Sequence, residues 1–155
     1  MSILSSRINI NPKKLGLVIL AILILIQFIP AERSNPEFDP SQEFFALNES
    51  TPEIKALIKS TCYDCHSYEA KFPWYAYVAP ISLIIGHDVE EGREHLNFST
   101  WGKYDIGRQK HKLEECAEEV EEGEMPIRLY AYFHSHANLS ENQRHELEEY
   151  FEGLR

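Results

Sequence analysis

The hydrophobic pattern divides the chain into one apolar run, a broken polar segment and four stretches of helical period. Residues 15–29, LGLVILAILILIQFI, are interrupted only by Gln27. A helix of this length reaches about 22 Å, short of a hydrocarbon core of roughly 30 Å. Arg7, Lys13 and Lys14 precede the run, Pro30 closes it, and FIPAERSN offers no clear small-x-small cleavage site. The run is read as an uncleaved signal anchor, with flanking residues and local thinning absorbing the mismatch. The positive-inside rule then leaves the basic tail in the cytoplasm and everything after Pro30 outside. Residues 31–50 are rich in Pro, Ser, Asn and acids. They read as a linker that docks through Phe38, Phe44, Phe45 and Leu47.

Helical spacing follows. Ser50 and Thr51 before Pro52 and Glu53 cap a helix bearing Ile54, Leu57, Ile58 and Thr61, which runs into CYDCH. After the aromatic turn KFPWYAYVAP, a second helix is expected over residues 80–96, with Ile81, Ile84, Ile85 and Val89 inward. A third, over residues 106–122, carries the stripe Leu113, Cys116, Ala117 and Val120. Ser140 and Gln143 form a capping box for the last, whose apolar face is Leu147, Tyr150, Phe151 and Leu154. No stretch sustains the period-2 alternation of a strand. The expected class is all-α: a tail and anchor in residues 1–30, a linker over 31–50, and one helical domain over 51–155.

Composition supports a packed domain and narrows its partners. With 155 residues, 43% hydrophobic and 12% aromatic, the chain suits a single core. Beyond residue 30, 12 basic against 25 acidic residues leave a formal −13. Nucleic-acid affinity rests on Lys and Arg neutralising phosphates, so that partner class is excluded, and a basic or neutral partner is favoured.

The chemistry concentrates in CYDCH, residues 62–66. C-x-x-C-H is the spacing of covalent c-type haem attachment: Cys62 and Cys65, on one turn, reach the vinyl groups along one porphyrin edge, and His66 becomes the proximal iron ligand. C-x-x-C also serves zinc sites and thiol redox pairs. Three features favour haem. The motif lies outside the expected anchor. Zinc would need two more ligands, and there is no second C-x-x-C. A thioredoxin-like pair should follow a strand, whereas a helical stripe leads in here.

Methionine pairs with histidine in cytochromes c. Apart from the initiator the chain has one, Met125, in the turn EGEMPIR. It is the candidate sixth ligand, with His87 and His95 as rivals. Trp74, Tyr75 and Trp101 are candidates for packing against a flat cofactor. Arg93 and Arg108 are candidates for holding its propionates. Cys116 falls on no motif and is read as a buried small residue or a free thiol. His134 and His136 read as surface residues. The seven glutamates within residues 114–124 read as a solvated helix face with a docking role.

The ordered run CYDCHS, PWY, HDVEEGREHLNFSTW, HKLEECAEEVEEGEMP and HSHANLSENQR resembles the small haem-binding domain family of bacterial membrane-anchored cytochrome c-like proteins, from about residue 50 to the end. The resemblance implies an all-helical domain with one covalent haem c at the periplasmic face of the inner membrane. Cys62, Cys65 and His66 match its attachment motif and Met125 its MP turn. It names no substrate and no partner. Single-electron transfer to a redox protein is the first functional expectation, and a carrier rather than an enzyme. A haem sensor or peroxidase-like protein with a labile sixth ligand is the second, and a structural zinc or disulfide domain the third.

Overall fold

The computed structural model describes residues 11–155, and every element in them is helical. Helix α1 spans Pro12–Leu25; Asn11 caps it by accepting from the Lys13 N–H, with Pro12 in the first turn. It tightens into a 3-10 turn at Ile26–Phe28. None of its side chains is buried. Fourteen residues cover about 21 Å, and no helix among the described residues is long and apolar enough to cross a membrane.

The linker goes deeper than a string of surface anchors. Within it, a short helix α2 (Phe44–Leu47) carries Phe44 into full burial. The Phe44 ring meets Trp101 and Phe98 edge-on, at 4.9 and 5.0 Å between centroids. That geometry is favoured by the ring quadrupole and adds to the area buried.

Helix α3 (Pro52–Thr61) starts as its sequence dictates, with the Thr51 hydroxyl accepting from the Ile54 N–H and Pro52 in the first turn. It breaks at Cys62, and the single turn α4 (Tyr63–His66) follows. A 3-10 turn at Trp74–Tyr77 leads to α5 (Ile81–His95), and a second at Phe98–Lys103 leads to α6 (Ile106–Glu121), capped by Asp105. Helix α7 (Arg128–Phe133) is short. Helix α8 (Glu141–Gly153) opens on the expected capping box of Ser140 and Gln143. The pair α6 and α8 pack along one another, and α4 packs against α5. The core includes Ile58 of α3, Leu113 and Val120 of α6, and Leu147 and Phe151 of α8, all buried.

Arg93 ties the linker to this body. Its Nε donates to the Ser67 carbonyl, Nη1 to the Ser34 carbonyl and Nη2 to Asn35 Oδ1, at 2.8–2.9 Å.

Candidate functional site

The CYDCH turn is built so that its residues face two ways. The Cys62 carbonyl accepts from the His66 N–H at 2.9 Å and from the Cys65 N–H at 3.2 Å. Positions i, i+3 and i+4 share one face of such a turn, and Cys62, Cys65 and His66 together line one cavity. The intervening residues hold the turn in place. Tyr63 is buried between the Phe98 and Phe45 rings, stacked at 5.1 and 5.9 Å, and its hydroxyl donates to Glu43. Asp64 accepts from the Lys71 N–H at 3.0 Å and from the Tyr130 hydroxyl at 2.7 Å.

His66 has its tautomer set by its partners. Nδ1 lies 2.8 Å from the Gly92 carbonyl and 3.2 Å from that of Leu96. Carbonyls only accept, so Nδ1 carries the proton, and Nε2 keeps a free lone pair. Burial also lowers the imidazole pKa, which keeps the ring neutral. A neutral ring with one nitrogen tied to a backbone carbonyl is the arrangement metal-ligating histidines use. Gly92 makes it possible: a Cβ there would lie 2.8 Å from the Cys65 carbonyl oxygen. Only glycine lets α5 approach this turn so closely.

The thiols are poor nucleophiles as they stand. Burial pushes the Cys62 pKa up to about 11. Burial first, then the nearby Asp64 charge, pushes that of Cys65 up to about 12. Redox-active C-x-x-C pairs depend on a lowered pKa, so this pair is unsuited to thiol exchange. Nor do three His, Cys, Asp or Glu side chains converge at metal-holding geometry among the described residues, and a tetrahedral zinc site has no ligand set here.

Met125 reaches the same cavity from the turn after α6. Gly123, at φ +77°, reverses the chain at the helix end. The Met125 N–H then donates to the Glu119 carbonyl at 3.0 Å. Arg144 Nη1 donates to the carbonyls of Val120 and Met125 at 3.0 and 2.9 Å. Of the two rival histidines, His95 lines the cavity. His87 points outward, 3.5 Å from Glu91.

Five other candidates lie elsewhere. Trp74 is 79% exposed, and Trp101 is buried against Phe44 in the core. The Tyr75 hydroxyl donates to His134 Nε2 at 2.7 Å, because His134 Nδ1 is committed to the Tyr130 carbonyl. Arg93 is engaged by Ser67 and by Ser34 and Asn35 of the linker, and Arg108 lies over the Tyr104 ring at 4.6 Å. The cavity instead gains Lys112, Glu115, Cys116 and Glu119 from α6. Their i, i+3, i+4, i+7 spacing was the available signal, masked by the run of glutamates that reads as a solvated face. Lys112 is only 9% exposed and pairs with Glu115.

The cavity holds about 500 Å³, within the roughly 300–1,000 Å³ usual for cofactor sites. Its apolar wall includes Leu96, Phe98, Val120, Leu139 and Phe151. Two thiols on one turn, an imidazole with a free Nε2, a thioether and an apolar wall suit an iron porphyrin. Comparison with known proteins gave no match among curated proteins and none among solved structures. A family model described as a haem-binding domain matches residues 21–153. With that match covering most of the chain and a cavity of this donor set within it, the chain belongs to the haem-binding domain family.

Proposed function

We propose that this protein is a membrane-anchored, monohaem c-type cytochrome that passes single electrons outside the cytoplasm, on the periplasmic side of a bacterial inner membrane. The observation that carries the reading is the His66 ring, its Nδ1–H tied to the Gly92 carbonyl and its Nε2 free beside Cys62 and Cys65. When bound, the haem supplies reversible one-electron chemistry, and the protein's part is binding, orientation and tuning.

Each residue then has a defined task. Cys62 and Cys65 would hold the porphyrin edge through thioethers. His66 would offer Nε2 to the iron, its orientation fixed by the Gly92 and Leu96 carbonyls. Met125 would offer its thioether to the iron, which would favour the reduced state. The Arg144 hydrogen bond to its carbonyl steadies it. Leu96, Phe98, Val120 and Phe151 keep water from the site. The acidic outer surface of α6 favours a basic redox partner by steering encounter. Helix α1, with Lys13 and Lys14 in its first turn, an apolar run after them and no buried side chain, supports the anchor.

Met125→Ala tests the axial pair. The oxidised visible spectrum is expected to change and the reduction potential to fall. An unchanged spectrum and potential would remove Met125 from the iron, and rapid carbon monoxide binding by the untouched reduced protein would favour the sensor or peroxidase-like alternative.

A further inference from the structure

Residues 72–86, FPWYAYVAPISLIIG, contain no charged residue in a chain that is 26% charged. Its small residues Ala76, Ala79 and Ser82 are buried, but much of its large apolar surface is not. Trp74 is 79% exposed, Tyr77 59%, Val78 45%, Ile81 46% and Ile84 49%. Ile81 and Ile84 are three positions apart on the first turns of α5 and share a face. The cavity does not use this ridge, and the linker meets it through Arg33 at the Tyr77 ring.

Its position is fixed relative to α1. The Gln27 side chain, the one polar group in the apolar run, closes a two-way clasp on Ala79: Nε2 donates to the Ala79 carbonyl at 3.1 Å, and Oε1 accepts the Ala79 N–H at 3.0 Å. Beside it, Phe28 is 81% and Ile29 50% exposed. Arg33 lies over the Tyr77 ring at 5.1 Å and donates to the Ala76 carbonyl. The ridge therefore continues the apolar surface of α1 at its C-terminal end. Its tryptophan, tyrosine and cation sit where the helix leaves its apolar stretch. Trp and Tyr at that level, with an Arg alongside, are the composition of a bilayer interface.

We infer that the ridge formed by Trp74, Tyr77, Val78, Ile81 and Ile84 lies in the interfacial layer of the membrane that α1 enters, so that the haem domain is held against the lipid surface in one orientation rather than swinging on a tether. The inference rests on the anchor reading of residues 15–29. The ridge and the cavity share α5: Gly92 lies about 12 Å further along the helix than Ile84. Docking there carries the cavity close to the membrane surface.

The test uses the full haem-loaded chain in phosphatidylcholine vesicles, with a photoreactive benzophenone amino acid placed at Tyr77, at Leu20 within α1, or at Glu118 on the exposed side of α6. Irradiated samples are read by mass spectrometry of the intact chain. Lipid adducts at position 77 at about ten times the yield at position 118, together with adducts at position 20, are expected for an interfacial ridge. Adducts at 20 but none at 77 would overturn the inference and leave the anchor standing. No adduct at either position would overturn both. Cross-linking of position 77 to a second copy of the chain would assign the ridge to a dimer contact and overturn the lipid assignment.

Discussion

Gly92→Ala separates local propensity from packing. Within a 15-residue helix, replacing Gly by Ala should gain up to about 1 kcal/mol from propensity alone. The structure opposes that gain. The added methyl would lie 2.8 Å from the Cys65 carbonyl oxygen and 3.2 Å from both the Cys65 carbonyl carbon and its Cβ. These are largely backbone atoms, so they cannot rotate away, and α4 must slide from α5. Overpacking of this kind costs about 1–3 kcal/mol. The same slide stretches the 2.8 Å contact of His66 Nδ1 with the Gly92 carbonyl, worth about 1 kcal/mol. The two costs together exceed the propensity gain, leaving a net loss of about 1–3 kcal/mol. Thermal unfolding followed by far-UV circular dichroism should show a lower midpoint, and the visible spectrum of the haem-loaded protein should shift as His66 moves. Gly86→Ala is the control, because its methyl would meet the Glu32 backbone N at 2.8 Å, away from the CYDCH turn; it should lower the midpoint without moving the spectrum. A Gly92→Ala variant with a raised midpoint and an unchanged spectrum would refute the reasoning.

Other perturbations have equally defined outcomes. Phe44→Ala removes a fully buried ring from the linker segment and should cost about 3–5 kcal/mol in denaturant unfolding; a cost below about 1 kcal/mol would return residues 31–50 to the status of a surface tether. Gly123→Ala forces a side chain onto φ +77° and should lose about 1–2 kcal/mol. It should also disturb the Met125 signature in the spectrum of the loaded protein, and near-wild-type stability and spectrum would contradict its role. In the haem-free chain, the lowered His66 pKa means that the unfolded state binds the extra proton first. That contribution is complete above the unfolded value of about 6.5 and is lost as pH falls from there through the depressed folded value. Unfolding midpoints measured across this range should fall more steeply for the parent than for His66→Gln, and parallel curves would sink the assignment.

The sequence was most informative where local chemistry decides. The capping box at Ser140, the proline and Thr51 at the start of α3 and the CYDCH spacing all act within one turn, and the helices begin where those residues stand. Met125, which lines the cavity, stood out as the sole methionine after the initiator. What failed required knowing which way a side chain faces. Trp101 and Trp74 are the same residue type, yet one is enclosed by the core and the other stands in solvent. Arg93 looked free to bind a propionate until the linker folded back over it. Lys112 was hidden because a cavity wall built from polar α6 residues has the same periodicity as a solvated face, whereas Cys116 stood on the apolar stripe but matched no motif. Phe44 was seen as an anchor, but a four-residue helix is too short to announce itself by period.

Covalent attachment through Cys62 and Cys65 is the central claim, and a haem stain of the protein on a denaturing gel, after expression with a haem-attachment system, tests it most directly. Only a thioether-linked haem remains with the unfolded chain. The parent is predicted to retain the stain and the Cys62→Ala, Cys65→Ala double variant to lose it. A parent band without stain, or a double variant that keeps it, would contradict the account.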